Sequence, residues 1–531
     1  MGGETATMRL TLLCLSCWLW WIGAVAARPL SFPYREAGLT PQQAAAHLLQ
    51  RFSFGPTPGQ VDMLVREGLE TWVEEQLRIP AQEAELEALL ALAPEESQQN
   101  RLGQRKLLRA VHAQGQLREV MSDFWFNHFN VSLTDDDCRR FVASYESQAI
   151  RPHCMGPFLN LLQATAHHPA MLYYLDNAYS TWEERYEPAD RSHDPFHYGN
   201  KKPQKRAQTV STPVKRGLNE NYAREVLELH TLGVDGGYRQ QDVTELARIL
   251  TGWSVEKNAF VFRPEMHDPN PKKFLYQKIQ PNGQAEGEKV LEQLALHSST
   301  ARYISRKLAV RFVSDHPPQS LLLRLTRAWS SSRGDTRALL IAILESPEFW
   351  SREALGAKIK SPFELQASSL RIVGARLEAK SLNAPQMLES MGQEIYCCRP
   401  PTGWPDKADT WLTPGTLVQR LSFAHQLANG QLGGVQVDLS RLRPNKPMAS
   451  AAQALQAYAA TLLPGRDNQG TVKLLQEAAL DPSYSQTVIA TSRAKGSKIP
   501  KPNPKSGFEF TPAAEMNIVG LLLGCPEFQR R

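Results

Sequence analysis

Leu218-Asn219-Glu220-Asn221-Tyr222-Ala223-Arg224-Glu225-Val226-Leu227-Glu228-Leu229-His230-Thr231-Leu232-Gly233, followed by Val234-Asp235-Gly236-Gly237-Tyr238, is the stretch on which the reading of this chain turns. At about 100° per residue, Leu218, Tyr222, Val226, Leu229 and Leu232 form one apolar stripe, as in an amphipathic helix. Gly233 ends that helix, and Asp235-Gly236-Gly237 makes a tight turn. A second helical pattern over 241–250 starts almost at once and stops at Gly252, before Trp253. Two helices joined by so short a turn fold back on each other as a helical hairpin.

The same period recurs outward from this hairpin. Leu117, Met121, Phe124 and His128 share one helical face. Thr40-Pro41-Gln42-Gln43 has a capping threonine, a proline at the first helical position and a glutamine at the third, and Thr57-Pro58-Gly59-Gln60 repeats the device. The second of these starts a helix that ends near Gly68, with another over 70–77. Helical patterns also cover 83–129, 157–165, 287–295, 301–312, 336–344, 362–376 and 416–427, whereas strand-like alternation is confined to 259–263. The expectation is all-α: one large helical domain over about residues 37–531, with a small β-hairpin near Phe260. Two polar stretches near 180–216 and 483–506 read as long insertion loops, rich in lysine (Lys201, Lys202 and Lys205; Lys495, Lys498, Lys501 and Lys505).

Residues 1–27 stand apart. Arg9 precedes an apolar run that closes on Ala24-Val25-Ala26, the pattern of a secretory signal peptide, which predicts a periplasmic or secreted protein. An uncleaved N-terminal helix anchoring the chain in a membrane is the alternative. Beyond this segment remain Cys138, Cys154, Cys397, Cys398 and Cys525, an odd count without zinc-type spacing; a Cys138–Cys154 bridge is left open. With 531 residues, 42% hydrophobic and 21% charged, the chain folds rather than staying disordered. Its net charge of +6 is too dilute for a nucleic-acid binder, and no nucleic acid is expected as a partner. It has no Gly-x-Ser-x-Gly, phosphate-cradling glycine loop or dinucleotide fingerprint, which argues against the common serine hydrolases and nucleotide-driven enzymes.

Glu225 falls in the middle of the apolar stripe, bordered by Asn221 and Glu228. A carboxylate there must be paired, protonated or bound to a metal. The hairpin brings Asp242 and Glu245 toward it, so Glu225, Glu228, His230 and Asp242, with His128 from the earlier helix, are the candidate catalytic residues. Glu225 is expected to be buried, with His128 or Arg248 as its partner. A divalent metal is the cofactor such a cluster would take, and a salt-bridge network through Arg224 or Arg248 is its structural counterpart. Asp135 to Asp137 read as a solvated turn, and His267-Asp268, with Lys272 and Lys273 nearby, is a weaker candidate.

The run Asn219 to Glu225 with Glu228 to Tyr238 resembles the signature of the bacterial family catalogued as domain of unknown function 1800 (DUF1800). Supporting stretches are His47-Leu48-Leu49 with Phe54-Gly55-Pro56-Thr57, Phe124-Trp125 with Asn127-His128-Phe129, Pro169-Ala170-Met171-Leu172, Leu250-Thr251-Gly252-Trp253, His267-Asp268, Lys307-Leu308-Ala309, Pro362-Phe363-Glu364 and Gly403-Trp404-Pro405. Within them Asn127, Asn221, Trp253, His267, Asp268 and Trp404 are the binding candidates. Arg239 departs from the pattern, where a small hydroxyl residue is usual, as do Asn270 and Tyr276, where glycines are. The resemblance implies an exported, mostly helical protein whose gene lies beside a sulfatase-like family, domain of unknown function 1501 (DUF1501). It implies no reaction. Two classes follow. One is a non-catalytic binding or export and assembly partner, either for a surface polymer such as an anionic polysaccharide or for the sulfatase-like protein. The other is a periplasmic metal- or carboxylate-dependent hydrolase with a buried Glu/His cluster.

Overall fold

Proline sets many of the helix starts. Pro41, Pro169, Pro347, Pro362, Pro414 and Pro512 each sit in the first turn, where the missing N–H costs nothing. In the helix Pro41–Phe52 the Thr40 hydroxyl accepts from the Gln43 N–H at 3.2 Å, and the Gln43 side chain accepts from the Thr40 N–H at 3.0 Å, as the sequence predicts. Ser361 and Glu364 make the same reciprocal cap on the helix Pro362–Ile372.

The computed structural model describes residues 29–78, 83–92, 99–187, 214–443, 448–481, 483–492, 501–503 and 508–531. The expected signal peptide and most of the two basic insertions lie outside them. The fold is all-α. The helix Ser298–Phe312 packs on Gln319–Ser332, which packs on Thr336–Leu344, and Gln284–Leu296 packs on Phe158–Ala166. Toward the C-terminus, Pro414–Ala428 lies against both Tyr484–Ser492 and Pro512–Gly524. One continuous apolar core runs through these layers and buries Trp125, Trp253, Trp329 and Trp350. It also takes in Phe32, which stacks on Trp350 at 5.7 Å, so the packed fold begins upstream of the expected boundary at 37.

Among the described residues, sheet is limited to two-stranded antiparallel ladders. Trp253–Glu256 pairs with Ala259–Phe262, the hairpin expected near Phe260. Lys272–Phe274 pairs with Gln277–Ile279, Arg185–Glu187 with Val214–Arg216, and Arg376–Leu377 with Val435–Gln436. These last three are too short to leave a period in the sequence.

Several expectations need correction. The segment after Ser483 is not all loop: Tyr484–Ser492 is helical and buries Val488 and Ile489. Thr57 is not a helix cap; Gly59 precedes the helix Gln60–Glu67, and Thr57 bonds to the Gln60 side chain instead. The helix over the opening stretch is α-helical only from Asn221 to Glu225 and becomes a π-helix from Val226 to His230. The wider turn rotates every following side chain away from the positions that 100° steps predict. The five cysteines beyond residue 27 are buried free thiols, so Cys138 and Cys154 are not bridged.

Candidate functional site

The helix Gln116–His128 and the helix Ser298–Phe312 face each other across a cavity of about 350 Å³. The first supplies Asp123, Asn127 and His128; the second supplies Tyr303, Arg306, Lys307 and Arg311, spaced so that one helical face carries them all. The segment 393–411 covers the opening with Tyr396, Trp404, Asp406, Lys407 and Trp411.

A clasp holds this cover. The Asn127 side-chain amide donates to the Trp404 carbonyl at 2.7 Å, and the Trp404 N–H donates back to Asn127 Oδ1 at 2.7 Å. Gly403 lets the two approach. Its φ is 70°, and a Cβ there would lie 2.2 Å from the Asn127 carbonyl oxygen. The Trp404 and Trp411 rings lie 6.0 Å apart.

Most charges around the cavity are already matched. Lys106 sits 2.9 Å from Asp123 and 3.8 Å from Glu146. Arg311 pairs with Glu364 at 2.5 Å, and Arg531 lies 3.1 Å from the same carboxylate. Asp406 lies 3.4 Å from Lys358 and 3.5 Å from Arg531. Burial opposes the Asp406 charge, but Lys358, Arg311 and Arg531 hold its carboxyl below the ordinary value. Thus each carboxylate in the wall has a cation, whereas Arg306, Lys307 and Lys407 have no carboxylate partner among the described residues.

Lys307 Nζ lies 2.9 Å from His128 Nδ1, and His128 Nε2 lies 3.1 Å from the His230 carbonyl oxygen. A carbonyl only accepts, so Nε2 carries the His128 hydrogen and Nδ1 presents a lone pair to Lys307. The accepting carbonyl belongs to the last residue of the π-helix, where no intrahelical donor is left for it. Burial, then Lys307 and His230, push His128 well below the ordinary histidine range. Burial lowers Lys307 to about 8 and, with Lys307, lowers His230 to about 3. His128 is therefore a neutral acceptor and Lys307 an amine poised between charged and neutral forms.

The residues singled out in the sequence scatter. Asn127, His128 and Trp404 line the cavity, and His230 supports it from behind. Glu225 is half-buried rather than buried, with neither His128 nor Arg248 as its partner; burial and the neighbouring Glu228 raise its carboxyl. Glu225 is the last α-helical residue before the π segment and sits at the edge of the core face rather than within it. Glu228 pairs loosely with Arg224 at 3.5 Å, and Asn221 is exposed. Asp242 accepts from the Arg239 and Leu275 backbone N–H groups, and Glu245 from that of Lys273, so both serve to anchor the Lys272–Phe274 strand. Trp253 is fully buried against His167. His267 belongs to a separate sealed cluster, 3.1 Å from Glu286, which pairs with Lys272 at 2.7 Å; Asp268 pairs with Arg248 at 2.6 Å. Among the described residues, no three His, Cys, Asp or Glu side chains converge as metal ligands.

Sequence reasoning gave Lys307, Arg306, Lys407 and Tyr303 no chemical role. The signal was present in Tyr303, Lys307 and Arg311, at i, i+4 and i+8: polar side chains at the spacing of a buried face.

The chain matches the sequence family described as "Protein of unknown function (DUF1800)" over residues 47–530, nearly its whole length, and belongs to that family. Neither the curated proteins nor the solved structures contain a match to it.

Proposed function

We propose that this member of the DUF1800 family is a binding protein whose cavity takes the acidic end of a carboxylated or sulfated saccharide. One observation carries the reading: Arg306, Lys307 and Lys407 line the cavity without ion-pair partners among the described residues, while both carboxylates in its wall, Asp123 and Asp406, are paired. A wall with unmatched cations selects an anion. Trp404 and Tyr303 add flat apolar faces of the kind that hold a sugar ring. Gln393 accepts from the Phe363 N–H, leaving its amide hydrogens free for hydroxyl groups. An exported location, and a sulfatase-like protein acting on the same polymer, belong to this reading. The hydrolase alternative has less support, because Glu225, Glu228 and Asp242 do not line the cavity.

The test is isothermal titration of the chain from residue 28 onward with the methyl glycoside of a galacturonate trisaccharide, against a neutral galactose trisaccharide. Charge reversal at Arg306→Glu or Lys407→Glu should weaken binding at least about tenfold, the effect of some 1.4 kcal/mol. Added salt should weaken it further. Equal affinity for the neutral sugar, or unchanged affinity in both variants, would remove the reading.

A further inference from the structure

We infer that Lys307 is a nucleophilic amine, and that the cavity holds an aldehyde or ketone bearing a nearby acid group by condensing its carbonyl carbon with Nζ. The inference rests on the reading of the cavity as an anion site and names the chemistry at its centre.

Lys307 differs from the other lysines of the interior. Lys106 has Asp123 at 2.9 Å, Lys272 has Glu286 at 2.7 Å, and Lys358 has Asp406 at 3.4 Å. Each thereby has a carboxylate within ion-pair distance. Lys360 has no hydrogen-bond acceptor at all among the described residues, and it is sealed inside the protein with Nζ 3.8 Å above the Phe528 ring. Among the described lysines only Lys307 combines a place on the cavity wall, no carboxylate within ion-pair distance and a defined hydrogen-bond acceptor, with Asp406 the cavity carboxylate that acts on it from farther away.

That acceptor decides the geometry. His128 is fixed as the Nε2–H tautomer by the His230 carbonyl, so its Nδ1 accepts one N–H of Lys307. A carboxylate in that place would add an opposite charge that holds the ammonium; a neutral imidazole nitrogen accepts an N–H from either form and adds no charge. With Lys307 lowered to about 8, the free amine at pH 7 is on the order of a hundredfold more abundant than on an ordinary lysine. His128 is thus a positioning residue, and Arg306 and Lys407 take the acid group beside the carbonyl.

The condensation balances without an oxidant or reductant. The Nζ lone pair attacks the carbonyl carbon and forms the C–N bond, and an amine proton passes to the carbonyl oxygen. The hydroxyl then leaves as water with the second amine proton, and C=N remains.

Glyoxylate, the simplest carbonyl acid, is the probe, with cyanoborohydride to reduce any imine to a stable amine. Peptide mapping by mass spectrometry follows labelling at pH 7. The expected result is one dominant adduct on Lys307, formed at least about tenfold faster than on exposed lysines, in line with its larger free-amine fraction. The methyl glycoside should protect it, and Lys307→Arg should abolish it. Label spread over surface lysines without preference for Lys307 would overturn the inference, and the wild-type map decides this even if the variant does not fold. The glycoside has no free carbonyl, so its binding is a separate outcome. Glycoside binding without a Lys307 adduct overturns this inference and leaves the anion site standing. A Lys307 adduct without glycoside binding supports the amine and removes the saccharide.

Discussion

Replacing Glu286 by glutamine should destabilise the protein by about 3–5 kcal/mol, the cost of breaking a buried ion pair from one side. The structure shows why an amide cannot substitute. Glu286 Oε2 accepts from the Lys272 ammonium at 2.7 Å, and both side chains are fully shielded from solvent. Oε1 accepts from the backbone N–H groups of Asn282 at 2.8 Å and Gly283 at 3.1 Å, capping the helix Gln284–Leu296. Oε2 meets the ammonium, and Oε1 meets both cap N–H groups and lies 3.1 Å from His267 Nε2. Glutamine must therefore turn its NH2 either onto the ammonium, leaving a buried charge uncompensated, or onto the cap, leaving backbone donors unsatisfied. Burial raises the Glu286 carboxyl, but Lys272, Asn282 and His267 outweigh it and hold it below its ordinary value. A depressed carboxyl contributes stability that is present above its unfolded pKa, near 4.3, and is lost as pH falls through the folded value. The gap between wild type and Glu286→Gln should therefore narrow below about pH 4. Guanidinium unfolding followed by tryptophan fluorescence measures it. Glu225→Gln is the matched comparison: its carboxyl is raised by burial and Glu228, so removing that charge should be neutral or slightly stabilising at pH 7. An unchanged midpoint for Glu286→Gln together with a large loss for Glu225→Gln would refute the assignment of the buried carboxylate to the His267 cluster.

Three further outcomes are expected. Lys307→Met should raise the unfolding midpoint at neutral pH by removing a half-buried cation without an ion-pair partner, by up to about 3 kcal/mol for a lysine lowered from near 10.4 to about 8. Between those values the unfolded chain binds more protons than the native one, so wild-type stability rises with pH and the advantage of Lys307→Met should fade toward pH 10 in a pH series of melts. Gly403→Ala should add about 1–2 kcal/mol of left-handed strain and break the Asn127–Trp404 clasp, for a local loss of about 2–4 kcal/mol, read as faster amide hydrogen exchange over 400–411 than in wild type. His128→Phe fills the same space without an acceptor for Lys307, so it should slow glyoxylate labelling of Lys307 severalfold while labelling of exposed lysines stays constant.

Local chemistry was the most legible part of the fold. The reciprocal cap of Thr40 and Gln43, the stop at Gly68 and the hairpin near Phe260 each depend on residues within a few positions of one another, and each forms where expected. Regularity was the assumption that failed. An apolar stripe drawn at 100° per residue placed Leu218 inside and Glu225 on the core face, whereas Leu218 is exposed and Glu225 half-buried. Nothing in Val226-Leu227-Glu228-Leu229-His230 announces a π-helix, and the carbonyl at its end meets His128, 102 residues away in the chain. The helix Pro512–Gly524 escaped notice for a different reason. It buries nearly all of its residues, so no polar face marks its period.

The site was legible only in pieces. His128 was picked out because a polar group sat on an apolar face, and the cavity accounts for that position. Its partners lie far along the chain: Lys307 is 179 residues away, and Trp404 is 277 residues from Asn127. Burial of a carboxylate drew attention to Glu225, but the same argument applied to cations points elsewhere. Along Ser298–Phe312, Tyr303, Lys307 and Arg311 recur at the spacing of a core face, and Arg311 is buried against Glu364 while Lys307 has no carboxylate within ion-pair distance among the described residues. A buried cation matched by a carboxylate is fully accounted for by structure. One whose only hydrogen-bond partner is a neutral imidazole, on the wall of a cavity, is not, and this difference between two neighbours on one helix is what directs chemistry to Lys307.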